Sequence, residues 1–310
     1  MQLTLRQLLI FSAVADAGST TVAGERVALS QSATSSALIE LESLLGAKLF
    51  DRIGKRLLLN DNGRMLLPQA RALLDGAREI ECQFGLSSPG KRTAPLITRL
   101  RLGASTTIGN YVLPALVADY RRAWPGAQID VVIGNTRDTA ASVNRLEVDF
   151  GLIEGPCHEP ELHVVPWLQD ELVIVAAPTH PLVQAGVRAG VPLKALRHAR
   201  WLLREPGSGT REAVEQLLLP HLHYLEGDMQ PGSTEAIKQA AAEGLGLACL
   251  SLCAVRDLVT LGRLVVLRTT LPSLSRRFYL VHHQKKQLSA SLQRFVAHCE
   301  RRALFDAKPL

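Results

Sequence analysis

Apolar residues recur at three- and four-residue steps through Leu5, Leu8, Phe11, Val14 and Ala15, and again through Ala37, Leu38, Leu41, Leu44 and Leu45. This is the stripe of an amphipathic helix, and it constrains the start of the chain more than any other feature. Gly18 ends the first helix, Ser19 can cap a short second one through Val27, and the cluster Ser30-Gln31-Ser32 can cap a third. The third helix turns Ser32, Ser35, Ser36, Ile39 and Glu40 away from its apolar stripe. Two short helices, tightly joined, with a polar outer face on the second, form the helix-turn-helix pattern. Gly46 stops the third helix, and Arg52 to Leu59 reads as two short strands around Gly54 with basic residues at the tip, a wing.

Asn60 and Asp61 can cap the next helix, where Leu66, Ala70, Leu73, Ala77, Ile80 and Phe84 form a seam of alternating four- and three-residue steps. A helix of about 24 residues, roughly 36 Å long, is better explained by pairing with a second copy than by packing on its own domain. Glycine, proline and small polar residues then dominate from Gly85 to Thr98, as in a linker. Beyond Arg99, apolar runs alternate with helical patterns, which predicts βαβ units and a mostly parallel sheet. A second such set, from Leu172 to Leu250, implies two α/β lobes with a cleft between them. The expected partition is a winged helix-turn-helix over 1–60, a dimerisation helix over 61–86, a hinge over 87–98 and a ligand-binding domain over 99–310. Within the last, one lobe covers about 99–168 and 269–310, and the other about 169–268.

Composition bounds the function. The net charge is +6, but residues 1–93 hold 11 basic against 9 acidic side chains, so the excess does not lie in the helix-turn-helix, and local placement must carry any case for DNA. The five cysteines are scattered, without the spacing of a zinc site or disulfide framework, and are expected to be reduced packing residues; Cys249 and Cys253 share a helical spacing. No signal peptide or long apolar run is evident, so a cytoplasmic protein without membrane contact is expected. The nine histidines show no metal spacing. Gly207-Ser208-Gly209 lacks the spacing of a nucleophile elbow, and no dinucleotide or Walker fingerprint occurs. Neither catalysis, nor a metal, nor a cofactor is expected.

The run LSQSATSSALIELESLLGAKLFDR from Leu29 to Arg52, with Phe11, Val14, Gly18, Ser19 and Ala23 upstream and Gly63 downstream, resembles the signature of the LysR-type transcriptional regulators. Pro181-Leu182, Gly207 to Thr210, Gly244-Leu245-Gly246 and Gly262-Arg263-Leu264 extend the resemblance over essentially the whole chain. The chain departs from the family at Thr20, Gly24, Ser32 and Ser36, the last commonly basic. The resemblance implies a bacterial regulator with a winged helix-turn-helix and a two-lobed, periplasmic-binding-protein-like effector domain, working as a homodimer or homotetramer and able to meet RNA polymerase. Double-stranded DNA would be read by Ser30, Gln31, Ser32, Thr34, Ser35 and Ser36, with charge from Arg52, Lys55 and Arg56.

For the effector, Gly103 to Thr107, Gly134 to Thr136 and Arg204 to Arg211 are turns that follow strands and open helices, where ligands bind in open α/β sheets. Ser105, Thr106, Thr107, Asn135, Thr136, Ser208 and Thr210 are the expected contacts, and hydroxyls and amides at helix N-termini favour a small anion. The wording ASTTIGNYVLP and LREPGSGTRE looks like the CysL-like branch, which implies a sulfur oxyanion such as sulfite. Similarity to regulators of carbon fixation leaves phosphorylated or carboxylated metabolites open. The competing reading is a small-molecule-binding protein or enzyme built on the two-lobed domain without specific DNA binding.

Overall fold

The computed structural model describes residues 3–54, 56–83, 98–185 and 190–306, and the chain divides into two compact units, Met1–Ala94 and Pro95–Leu310. In the first, α1 (Leu5–Ala17) begins at a capping box in which Thr4 and Gln7 satisfy each other's backbone N–H groups, and it ends at left-handed Gly18. The second helix, α2 (Thr20–Arg26), has Ser19 at its N-cap position but no cap from that side chain. Ser30 does cap α3 (Gln31–Leu45), accepting from Ala33 N–H at 3.2 Å. The strands β1 (Phe50–Ile53) and β2 (Arg56–Leu59) pair antiparallel, Ile53 opposite Arg56 and Phe50 opposite Leu59. Asn60 accepts from Gly63 N–H at the start of α4 (Asp61–Gln83).

The core of this unit is Leu8, Phe11, Val14, Ala23, Leu38, Leu41, Leu49 and Phe50, and α4 contributes Ala70 and Leu74. The expected seam of α4 therefore divides. Leu66 and Ala70 pack on their own unit, whereas Leu73 and Ile80 are more than half exposed; Phe84 and the hinge through residue 97 lie outside the described residues.

The second unit starts with β3 (Thr98–Ser105), a π-helical turn (Ile108–Val112), α5 (Leu113–Ala123), β4 (Ala127–Gly134), α6 (Thr136–Asn144) and β5 (Phe150–Glu154). Next come β6 (Leu162–Ala176), α7 (Pro181–Gln184), α8 (Leu193–Arg197), β7 (Arg200–Leu202), α9 (Gly209–Leu222) and β8 (Glu226–Met229). The chain continues through α10 (Thr234–Ala242), β9 (Ala248–Ser251), α11 (Leu252–Thr260), β10 (Val265–Val266), β11 (Leu274–His283) and α12 (Ala290–Asp306). The main sheet runs β10-β6-β11-β5-β3-β4, with β9 also on β6. Strands β4, β3 and β5 are parallel as expected, but β6 and β11 are antiparallel to each other and β11 to β5, so the sheet is mixed.

Those two long strands, β6 and β11, cross between lobes. One lobe closes around Leu102, Phe150, Phe278, Leu280 and Phe295, and the other around Ile174, Trp201, Leu218 and Leu247. Of β6, only Leu172 to Ala176 is legible as a strand in the sequence, because Pro166, Gln169, Asp170 and Glu171 interrupt its apolar pattern. Backbone pairing with β11 carries it through that stretch.

Candidate functional site

In the first unit the predicted DNA-reading residues separate by burial. Gln31, Ser32 and Ser36 are exposed on α3, Ser35 is half-buried, and Ser30 is an exposed cap whose hydroxyl lies 3.0 Å from that of Ser32. Thr34 is the exception: it is fully buried and its hydroxyl donates to the Ser30 carbonyl, so it packs the helix start and is not presented to a partner. Ile39 and Glu40 share the exposed side of α3. On the hairpin, Arg52 stands opposite Leu57 and Arg56 opposite Ile53. Directly opposed residues share a face and successive ones alternate, so the two arginines flank the ribbon on opposite faces. Lys55 lies outside the described residues.

In the second unit the predicted effector residues converge, but most of their hydroxyls are already engaged. Glu154, at the end of β5, is 2% exposed. It accepts the backbone N–H and the hydroxyl of Thr107 at 2.6 and 2.9 Å and the hydroxyl of Thr210 at 2.6 Å, while its carbonyl accepts the Thr136 hydroxyl at 2.9 Å. Residues from both lobes thus meet on one carboxylate. Gly209 makes the approach feasible, because a Cβ there would lie 1.8 Å from the Glu154 carbonyl oxygen. Ser208 caps α9 and Asn135 caps α6. Ser105 is buried at the end of β3, and its hydroxyl has no partner among the described residues.

Thr106 marks a second contact between lobes. Its hydroxyl donates to the Gly134 carbonyl and accepts from Arg204 Nη2 at 3.3 Å. The Arg204 side chain is 2% exposed, donates to the Thr234 hydroxyl at 2.7 Å and pairs side-on with Glu205. Lys238 Nζ, held by Glu235 and Asp257, lies 3.4 Å from the Tyr111 hydroxyl of the π-helical turn. A cavity of about 590 Å³ is bordered by residues of both lobes, Thr136, Arg137, Cys157, Ser208 and Arg211 among them, but not by Thr106 or Arg204.

Electrostatics ties the two crossing strands together. Arg276 of β11 donates to Asp170 of β6 and bridges to Glu154, each at 2.8 Å, and Ser251 donates to Asp170 at 2.6 Å. Burial alone would raise the Glu154 pKa, but the Arg276 charge and the bonds from Thr210 and Thr107 hold it below the usual carboxylate range. Burial raises Asp170 despite Arg276, because one guanidinium serves two carboxylates. Burial also pushes the thiols up, Cys249 to about 12, so none of Cys157, Cys249, Cys253 and Cys299 is a reactive thiolate. The helical spacing read for Cys249 and Cys253 is not realised: the first lies on β9 and the second on α11.

Sequence reasoning missed Glu154, Asp170, Arg204, Thr234, Lys238 and Arg276. A signal for several was present: a charge at the end of, or inside, an otherwise apolar strand must find a partner once buried. Among the described residues no three His, Cys, Asp or Glu side chains converge to hold a metal, and no helix is long and apolar enough to cross a membrane.

Residues 5–64 match the bacterial regulatory helix-turn-helix proteins of the lysR family, and residues 94–304 match the LysR substrate binding domain. The chain is 47% identical over 300 residues to the HTH-type transcriptional regulator YeiE of Escherichia coli, covering 97% of this chain and 98% of the relative. It is 29% identical to CysL of Bacillus subtilis, over 92% of this chain and 93% of that one. A full-length OxyR variant from Pseudomonas aeruginosa shares the fold at a TM-score of 0.74 and 23% identity, covering 97% of this chain and 94% of that one. The regulatory domain of Synechocystis CcmR in complex with 2-PG matches at a TM-score of 0.59 and 31% identity, covering 66% of this chain and 97% of that one. The chain belongs to the LysR family of transcriptional regulators, with an N-terminal helix-turn-helix and a C-terminal two-lobed effector-binding domain.

Proposed function

We propose that this regulator binds an operator through Gln31, Ser32, Ser35 and Ser36, with Arg52, Lys55 and Arg56 on backbone phosphates, and that a small anion controls it from the contact between the lobes. The observation that carries the effector reading is Arg204, a nearly fully buried cation whose donors reach Thr234 and, across the contact, Thr106. A small oxyanion fits such a group, because paired N–H donors and hydroxyls match its oxygens. Sulfite is the proposed ligand; the 2-PG complex of CcmR supports the wider class of compact ligands. The protein acts in the cytoplasm as a homodimer or dimer of dimers, without catalysis, and effector-dependent lobe closure is relayed through the oligomer to promoter and RNA polymerase.

A salt-titrated gel shift with the chain's own upstream region tests the first part. Arg52→Ala with Arg56→Ala should weaken binding about tenfold and flatten the salt dependence by roughly two phosphate contacts. Calorimetry with sodium sulfite tests the second: Thr106→Ala should weaken sulfite while leaving operator affinity unchanged. Wild-type behaviour of the arginine pair, or unaltered sulfite binding in Thr106→Ala, would refute the corresponding assignment.

A further inference from the structure

The guanidinium of Arg204 carries an anion supplied by its own chain. Nε donates to one Glu205 oxygen at 2.7 Å and Nη2 to the other at 2.8 Å, a side-on bidentate pairing. An oxyanion ligand competing for Arg204 would use that same edge, since two parallel N–H donors match two oxygens of a sulfite, sulfate or phosphate. The two partners differ in freedom: the Arg204 side chain is 2% exposed and that of Glu205 24%. The carboxylate can swing toward solvent, whereas the guanidinium is held by Thr234 and Thr106. Burial would raise the Glu205 carboxyl, but Arg204 holds it below the usual range, so the pairing keeps both groups charged.

We propose that Glu205 is an intramolecular competitor for the effector's anionic group: it neutralises Arg204 in the unliganded protein, and the effector displaces it. This rests on the anion site proposed at Arg204. A carboxylate that merely orients Arg204 makes the opposite prediction, because removing it would weaken the ligand.

The experiment is calorimetry on the full chain with sodium sulfite, sodium sulfate and sodium phosphate as probes. Glu205→Gln keeps the shape and removes the charge, and it should bind at least one probe about threefold or more tighter than the wild type. Glu205→Asp, too short for the same bidentate reach, should also tighten binding and covers the case in which the glutamine variant does not fold. Unchanged or weaker binding in these variants, together with loss in Arg204→Gln, overturns the competitor and leaves the anion site standing. Undiminished binding in Arg204→Gln, or no binding of any probe to the wild type and both Glu205 variants, overturns the anion site and the competitor with it.

Discussion

At Glu154 a carboxylate ends a fully buried strand, and it stays charged only because Arg276, Thr107 and Thr210 all face it. Removing one partner from a buried pair leaves the other uncompensated, at a cost of about 3–5 kcal/mol. Glu154→Gln should therefore destabilise the effector unit by that order, measured by urea unfolding; a loss below about 1 kcal/mol would show that Arg276 is satisfied by Asp170 alone. The hydroxyls of Thr107 and Thr210 are legible as polar groups at helix starts, but their partner is not, since Glu154 lies 47 and 56 residues away from them in the chain.

Among the elements, α4 shows how a single periodic pattern can serve two surfaces. Its buried side, Ala70 and Leu74, is fastened to its own unit, where Arg71 also pairs with Asp16 of α1 at 2.6 Å. Leu73 at 53% exposure and Ile80 at 58% stay out of that core, and the proposed pairing of α4 with a second copy would use them. Leu73→Ser with Ile80→Ser should shift the protein toward monomer in light scattering and weaken operator binding; an unchanged oligomer would remove α4 from the interface. The seam is readable from spacing, whereas its division into a buried and an exposed side depends on which residues meet α1.

For the whole molecule, pH provides a test of the buried charges. Burial would raise Asp149, but Arg101 and Lys286 hold its pKa below the ordinary value, as Arg276 does for Glu154. A depressed folded pKa means that the unfolded chain binds more protons, so this stability is complete above about pH 5 and is lost as pH falls through the folded values. Asp170, shifted upward, contributes with the opposite sign. The melting temperature should fall between about pH 5 and pH 3, and the fall should be smaller in Asp149→Asn; an equal fall in both would mean that Asp149 does not contribute.

The sequence alone was sufficient for the helix-turn-helix, the hairpin wing, the long helix and the alternation of strands and helices, because each follows from local spacing, caps and turn residues. Only the tertiary structure decided that Thr34 is buried, that β6 and β11 cross between lobes, and that Arg204, Glu154 and Arg276 gather the hydroxyls of distant turns. Local patterns record what a residue does to its own backbone, whereas the partner of a buried charge is chosen by long-range packing, which a single sequence does not display.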